Sequence, residues 1–253
     1  ASGADVAMIS RGGYGITRIL GDIRYQAVAK SIERGTQFVG ISDFTALQLA
    51  LLAKNGSTTW AGPALCEGFG SADADAPDDI MEDCFNDMVL GQGEGTGWRQ
   101  NKDAEPNPAW RIRQATIWGG NLTMLTSLLG TAYFPQIKGG ILFLEDVGEH
   151  PYRIERMLTQ LLHAGVLAQQ KAILLGQFTE YKLSSHDKGF KLATVVQWLR
   201  SQVKVPILTN LPYGHVATKV LLPVGAKADL HVEGRDVLLF WGHVNRPGAV
   251  ELH

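Results

Sequence analysis

Short apolar runs alternate with stretches of helical periodicity along this chain. Asp5 to Ser10 reads as a buried strand, and the turn Arg11-Gly12-Gly13-Tyr14-Gly15 follows it at once. Gln37 to Ile41 is a second short strand candidate. Asp43 to Lys54 then carries Phe44, Leu47 and Leu51 at helical spacing before Asn55-Gly56 stops it. Up to about residue 90 the pattern predicts parallel strands under helices. Gly91 to Pro108 is rich in glycine, proline and polar residues and reads as a linker or long loop. Beyond it, Asn121 is expected to cap a helix over Leu122 to Leu129, and Gly140 to Glu145 forms an apolar strand ending on an acidic pair. Arg153 to His163 and Leu192 to Val203 read as helices, Ala172 to Leu175 and Ile207 to Leu211 as strands. Val220 to Val224 and Val237 to Trp241 suggest a closing ribbon. The expected architecture is α/β: an N-terminal domain over 1–90, a linker over 91–110, and a C-terminal domain of mixed strands and helices over 111–253.

Composition narrows the class. With 253 residues, 45% apolar and 19% charged, the chain can bury one sizeable core or two modest ones. A formal net charge of -2 lacks the basic footprint of phosphate-backbone binding, so nucleic acid is not an expected partner. No apolar run reaches the ~20 residues of a membrane-spanning helix: Leu47 to Ala53 is interrupted by Gln48 and ended by Lys54. Cys66 and Cys84 have no metal-ligand spacing, and a disulfide framework is not expected. A chain that opens directly on a strand is expected to have an N-terminal segment outside these residues.

Three positions invite chemistry. Gly40-Ile41-Ser42-Asp43 sets a serine between a strand and a helix N-terminus, as in a nucleophile elbow, although the second glycine of G-x-S-x-G is lacking and, taken alone, such a serine is more often a plain cap. Glu145 ends a buried strand. His215 lies in Pro212-Tyr213-Gly214-His215, a loop at a strand end, whereas His163 near a helix terminus and His253 at the chain end read as incidental. Together they supply the nucleophile, orienting acid and base of acyl transfer. The glycine turn at 11–15 offers unhindered N–H groups to an oxyanion or a substrate carboxylate. It lacks the G-x-G-x-x-G spacing and the following acid of a dinucleotide site, and no histidine pair has zinc spacing, so neither cofactor nor metal is expected.

The same segments resemble the LD-carboxypeptidase family of serine peptidases (the S66 family). The likeness rests on Arg11-Gly12-Gly13-Tyr14-Gly15, Gly40 to Leu47, Trp118-Gly119-Gly120-Asn121-Leu122, Leu144-Glu145-Asp146 with Glu149 and Arg156, and Gly214-His215 followed by Leu222-Pro223-Val224-Gly225. It runs in order from Ala4 to about Gly242, and within the family it is nearest to muramoyltetrapeptide carboxypeptidases of Gram-negative bacteria. The resemblance implies a Rossmann-like N-terminal sandwich, whose first elements lie outside this sequence, joined to a mixed C-terminal domain, usually as a homodimer. It further implies a cytoplasmic enzyme of peptidoglycan recycling that removes terminal D-alanine from muropeptide tetrapeptides. Carried over by position, the catalytic residues fall on Ser42, Glu145 and His215, and the oxyanion donors on the backbone N–H groups of Gly13 and Asp43. Tyr14 and Asn121 are candidate readers of the substrate carboxylate, with helix capping an equal alternative for Asn121. Two rivals remain: a family member that hydrolyses a peptidyl-nucleotide antibiotic, and a non-catalytic sugar-peptide binding module, against which the presence of all three catalytic residues speaks.

Overall fold

The computed structural model describes residues 3–70, 76–102 and 107–244. In chain order these form β1 (Val6–Met8), α1 (Ile16–Ile19), α2 (Tyr25–Glu33), β2 (Gln37–Gly40), α3 (Phe44–Asn55), β3 (Thr59–Ala61), α4 (Asp79–Leu90), β4 (Gly95–Arg99), β5 (Asn107–Asn121), α5 (Leu122–Ser127), β6 (Ile141–Val147), α6 (Pro151–His163), β7 (Ala172–Thr179), α7 (Leu192–Gln202), β8 (Ile207–Leu208), β9 (Leu222–Val224), β10 (Lys227–Gly234) and β11 (Asp236–Phe240). The α/β expectation holds. Two sheets carry the molecule, one of order β1-β2-β3-β9 and one of order β4-β11-β10-β5-β6-β7-β8.

In the first sheet β1, β2 and β3 are parallel, and β9, from late in the chain, closes it antiparallel to β3. The helix α3 returns the chain from β2 to β3. It buries Phe44, Thr45, Ala46, Gln48 and every residue from Leu49 to Leu52, because a helix apolar on most of its circumference must be covered on most sides. It ends where Gly56 takes a left-handed conformation and donates its N–H to the Leu52 carbonyl at 3.0 Å.

The second sheet is parallel from β5 through β8 and antiparallel from β5 outward to β4. The strand β6 is buried from Ile141 through Asp146, as expected of a parallel strand covered on both faces. The sheets are stitched together after β9, where the Gly225 N–H donates to the Ile117 carbonyl at 2.8 Å and the Ile117 N–H to the Ala226 carbonyl at 2.9 Å.

The expected linker is corrected in part. Residues 95–99 form the edge strand β4, paired with β11 from Gly95 to Phe240 through Arg99 to Asp236. A Cβ on Gly95 would stand 2.5 Å from the Leu239 carbonyl oxygen, so the glycines here permit close pairing rather than a loop. Pro108 lies within β5. The alternation of β5 was hidden because Gln114 sits at φ 49°, opposite a register shift in β10, and the inward phase passes from Trp110 and Ile112 to Ala115 and Ile117.

Candidate active site

Ser42 follows β2 at φ 64°, in the left-handed region that non-glycine residues enter only when their surroundings compel it. Asp43 is the N-terminal boundary residue of α3, with no side-chain cap, so Ser42 is not acting as a plain cap. Its carbonyl instead accepts from the Thr45 N–H at 3.0 Å. The turn after β1 packs directly against it: a Cβ on Gly12 would lie 2.6 Å from the Ser42 Cβ and 2.9 Å from its Oγ. Only glycine leaves this hydroxyl its room.

Glu145 stands near the end of β6 with no exposure, and its Oε2 lies 2.7 Å from His215 Nδ1. With Glu145 ionised the shared hydrogen sits on Nδ1, leaving Nε2 as the acceptor. Burial pulls the imidazole pKa down, but the hydrogen bond and charge of Glu145, helped by the charges of Glu67 and Asp146, outweigh it and leave the value raised. The loop is steadied by the Thr179 hydroxyl, which donates to the His215 carbonyl at 3.3 Å.

Asn121 and Asp146 buttress this pair. Asn121 Nδ2 donates to Glu145 Oε1 at 3.1 Å and to Asp146 Oδ1 at 3.0 Å, while its Oδ1 accepts from the Met124 N–H at 3.1 Å and caps α5. Asp146 also accepts from the Thr123 N–H and hydroxyl. Burial raises the Asp146 carboxyl, against the Thr123 bond.

Ser42 and His215 line one cavity of about 630 Å³, together with Gly12, Gly13, Glu67 and Lys219. The structure therefore brings Glu145 into contact with His215 and sets Ser42 and Gly13 at the same cavity. Burial raises the Asp43 carboxyl, against the hydrogen bonds of the Ile16 and Gly13 amides and of its own N–H. The two expected carboxylate readers stand elsewhere. Asn121 is 4% exposed, with its amide committed to Glu145, Asp146 and the helix cap, so the capping alternative is the one realised. Tyr14 is 82% exposed, its ring 5.7 Å from the Arg18 guanidinium, and neither residue lines the cavity. Among the described residues no three His, Cys, Asp or Glu side chains converge as they would on a metal ion.

Sequence reasoning overlooked Glu67 and Lys219. The signal for Lys219 was available: a lone charge between Ala217 and the apolar run Val220 to Val224. Glu67 accepts the Gly12 N–H at 3.2 Å and so ties the glycine turn to the segment after β3.

Sequence profiles of the N-terminal and C-terminal domains of LD-carboxypeptidases match residues 2–62 and 114–230. The solved structure of a muramoyltetrapeptide carboxypeptidase from Oxalobacter formigenes is similar at 40% identity and a TM-score of 0.84, over 96% of this chain and 80% of that one. A putative carboxypeptidase of Synechocystis is 32% identical over 226 residues, 88% of this chain and 68% of the relative. The murein tetrapeptide carboxypeptidase of Pseudomonas aeruginosa is 31% identical over 234 residues, 87% of this chain and 70% of the relative.

Proposed function

Because this chain belongs to the LD-carboxypeptidase family, we propose that it is a serine-type, metal-independent carboxypeptidase that releases terminal D-alanine from muropeptide tetrapeptides in peptidoglycan recycling. The observation that carries this reading is the 2.7 Å contact of Glu145 Oε2 with His215 Nδ1 at a cavity shared with Ser42. The names of similar proteins, a muramoyltetrapeptide and a murein tetrapeptide carboxypeptidase, support the substrate class.

In this mechanism Ser42 Oγ attacks the carbonyl carbon of the L-configured residue while His215 Nε2 takes the hydroxyl proton. Glu145 holds the ring's tautomer and offsets its transient positive charge. The backbone N–H groups of Gly13 and Asp43 stabilise the oxyanion, each such donor contributing about 3 kcal/mol. Collapse of the tetrahedral intermediate breaks the C–N bond, and His215 returns its proton to the departing amine of D-alanine. Water, deprotonated by the same imidazole, then hydrolyses the ester and restores Ser42.

The test is incubation of the protein and of Ser42→Ala with a disaccharide tetrapeptide ending in D-alanine, in the presence of a chelator, with released D-alanine quantified. The wild type releases D-alanine, and Ser42→Ala is slower by roughly 10⁵-fold or more. No release by the wild type, or hydrolysis of a peptidyl-nucleotide in its place, overturns the reading.

A further inference from the structure

The mechanism above leaves one deeply buried charge at the cavity unused. Lys219 lines the cavity four positions after His215 and is 4% exposed, and a lysine so deeply buried is rarely unpaired. Among the described residues its ammonium forms no ion pair and no side-chain hydrogen bond, and the neighbouring acids hold other partners. Glu145 holds His215 and Asn121, Glu67 holds the Gly12 N–H, and Asp78 accepts from the Thr218 hydroxyl and caps α4 through the Met81 N–H. Burial pushes the ammonium's pKa down, against the charges of Glu67, Asp78 and Glu145. A desolvated cation with unused donors gains more from an incoming anion than an exposed one does. Arg11 also lines the cavity but is exposed, where water screens its charge.

The position of Lys219 fits one particular anion. If His215 protonates the departing amine, that amine lies on the imidazole's side of the scissile bond. When the leaving group is a single amino acid, its carboxylate is only two bonds from the amine nitrogen. The group that reads it must stand close to His215, and the chain lines the cavity from His215 through the small Val216 and Ala217 to Lys219. Resting on the carboxypeptidase reading, we infer that Lys219 receives the free α-carboxylate of the substrate's C-terminal residue and so confines this site to exopeptidase cleavage.

The experiment compares the tetrapeptide ending in free D-alanine with the same peptide ending in D-alaninamide, using wild type and Lys219→Met. Methionine keeps much of the side chain's length and volume, and replacing a buried charge with an apolar group of similar size is commonly tolerated. Lys219→Gln serves as the second variant should Lys219→Met fail to fold. The wild type prefers the free acid by roughly 100-fold or more in kcat/KM. The variant loses this factor on the acid and changes by less than about 3-fold on the amide, collapsing the preference. Equal losses on both substrates, or a preference that survives the substitution, overturn the inference. A wild type that releases D-alanine but is indifferent to the carboxylate also overturns it and leaves the carboxypeptidase reading standing. Release from neither substrate removes both.

Discussion

Around Ser42 the site is built from main chain: a residue at φ 64° between β2 and α3, with Gly12 so close that one added carbon would touch the hydroxyl. Around His215 it is built from side chains: the imidazole on Glu145, Glu145 on Asn121, and Asn121 on Asp146 and the first turn of α5. The first region is sensitive to volume, since its geometry has no adjustable partner. The second is sensitive to charge and hydrogen bonding, because an amide exchanged for a carboxylate of the same shape, or the reverse, swaps a donor for an acceptor. Substitutions that alter only volume or only charge should therefore fail in different ways.

Among substitutions that separate the two regions, the largest effect is expected from Glu145→Gln, which keeps shape and removes charge. The turnover rate should fall by on the order of 10⁴-fold, the loss typical when the acid of such a triad is made an amide. The pH profile should move as well. On the proposed mechanism His215 must be neutral to accept the serine proton, so wild-type activity should fall as pH drops through a pKa raised above the ordinary histidine value of about 6.5. In the variant burial remains without the carboxylate that outweighs it, and the acid limb of kcat/KM shifts to lower pH. An unmoved limb would show that the carboxylate does not govern this ring.

A smaller loss, roughly 100-fold, is expected from Gly12→Ala, the size of penalty a misplaced reacting group carries. The new methyl must displace Ser42 while the pair Glu145–His215 is untouched, so the pH profile keeps its midpoint. A shifted midpoint would mean that the two regions are not separable. The smallest effect belongs to Gly56→Ala at the other end of α3, where φ is 68° and nothing stands near the added carbon. Denaturant unfolding should register a loss of about 1 kcal/mol from left-handed strain, with kcat/KM unchanged. Loss of activity here would tie the active site to the whole helix rather than to the turn that leads into it.

Legibility of the sequence followed the same division. The helix α3 and the strand β6 were plain because burial on most sides demands long apolar runs. Ser42, Glu145 and His215 each announced themselves at a strand end, but the left-handed backbone of Ser42 could not be told from a capping serine, since both place the residue just ahead of a helix. Asn121 carried a cap signal and a site signal at once; the structure shows the cap, with the spare amide hydrogens supporting Glu145. The strands β4 and β5 were missed because glycines disguised the one as a loop and the bulge at Gln114 broke the period of the other. Lys219 was passed over because a single charge beside an apolar run looks like a solvated edge until burial is known.

One short strand bears on how the chain comes off the ribosome. The sheet that carries Ser42 on its β2 loop is closed by β9, residues Leu222–Val224, which are made long after its other three strands. Until they emerge, β3 is an unpaired edge, the kind of surface that recruits foreign strands. The stretch that finally covers it begins seven residues after His215, so the histidine and the closing strand arrive together. On the proposed mechanism, a nascent chain is thus both inert and open-edged until the same few codons end both conditions, and hydrolytic competence is withheld from any fragment that stops short of its own protection.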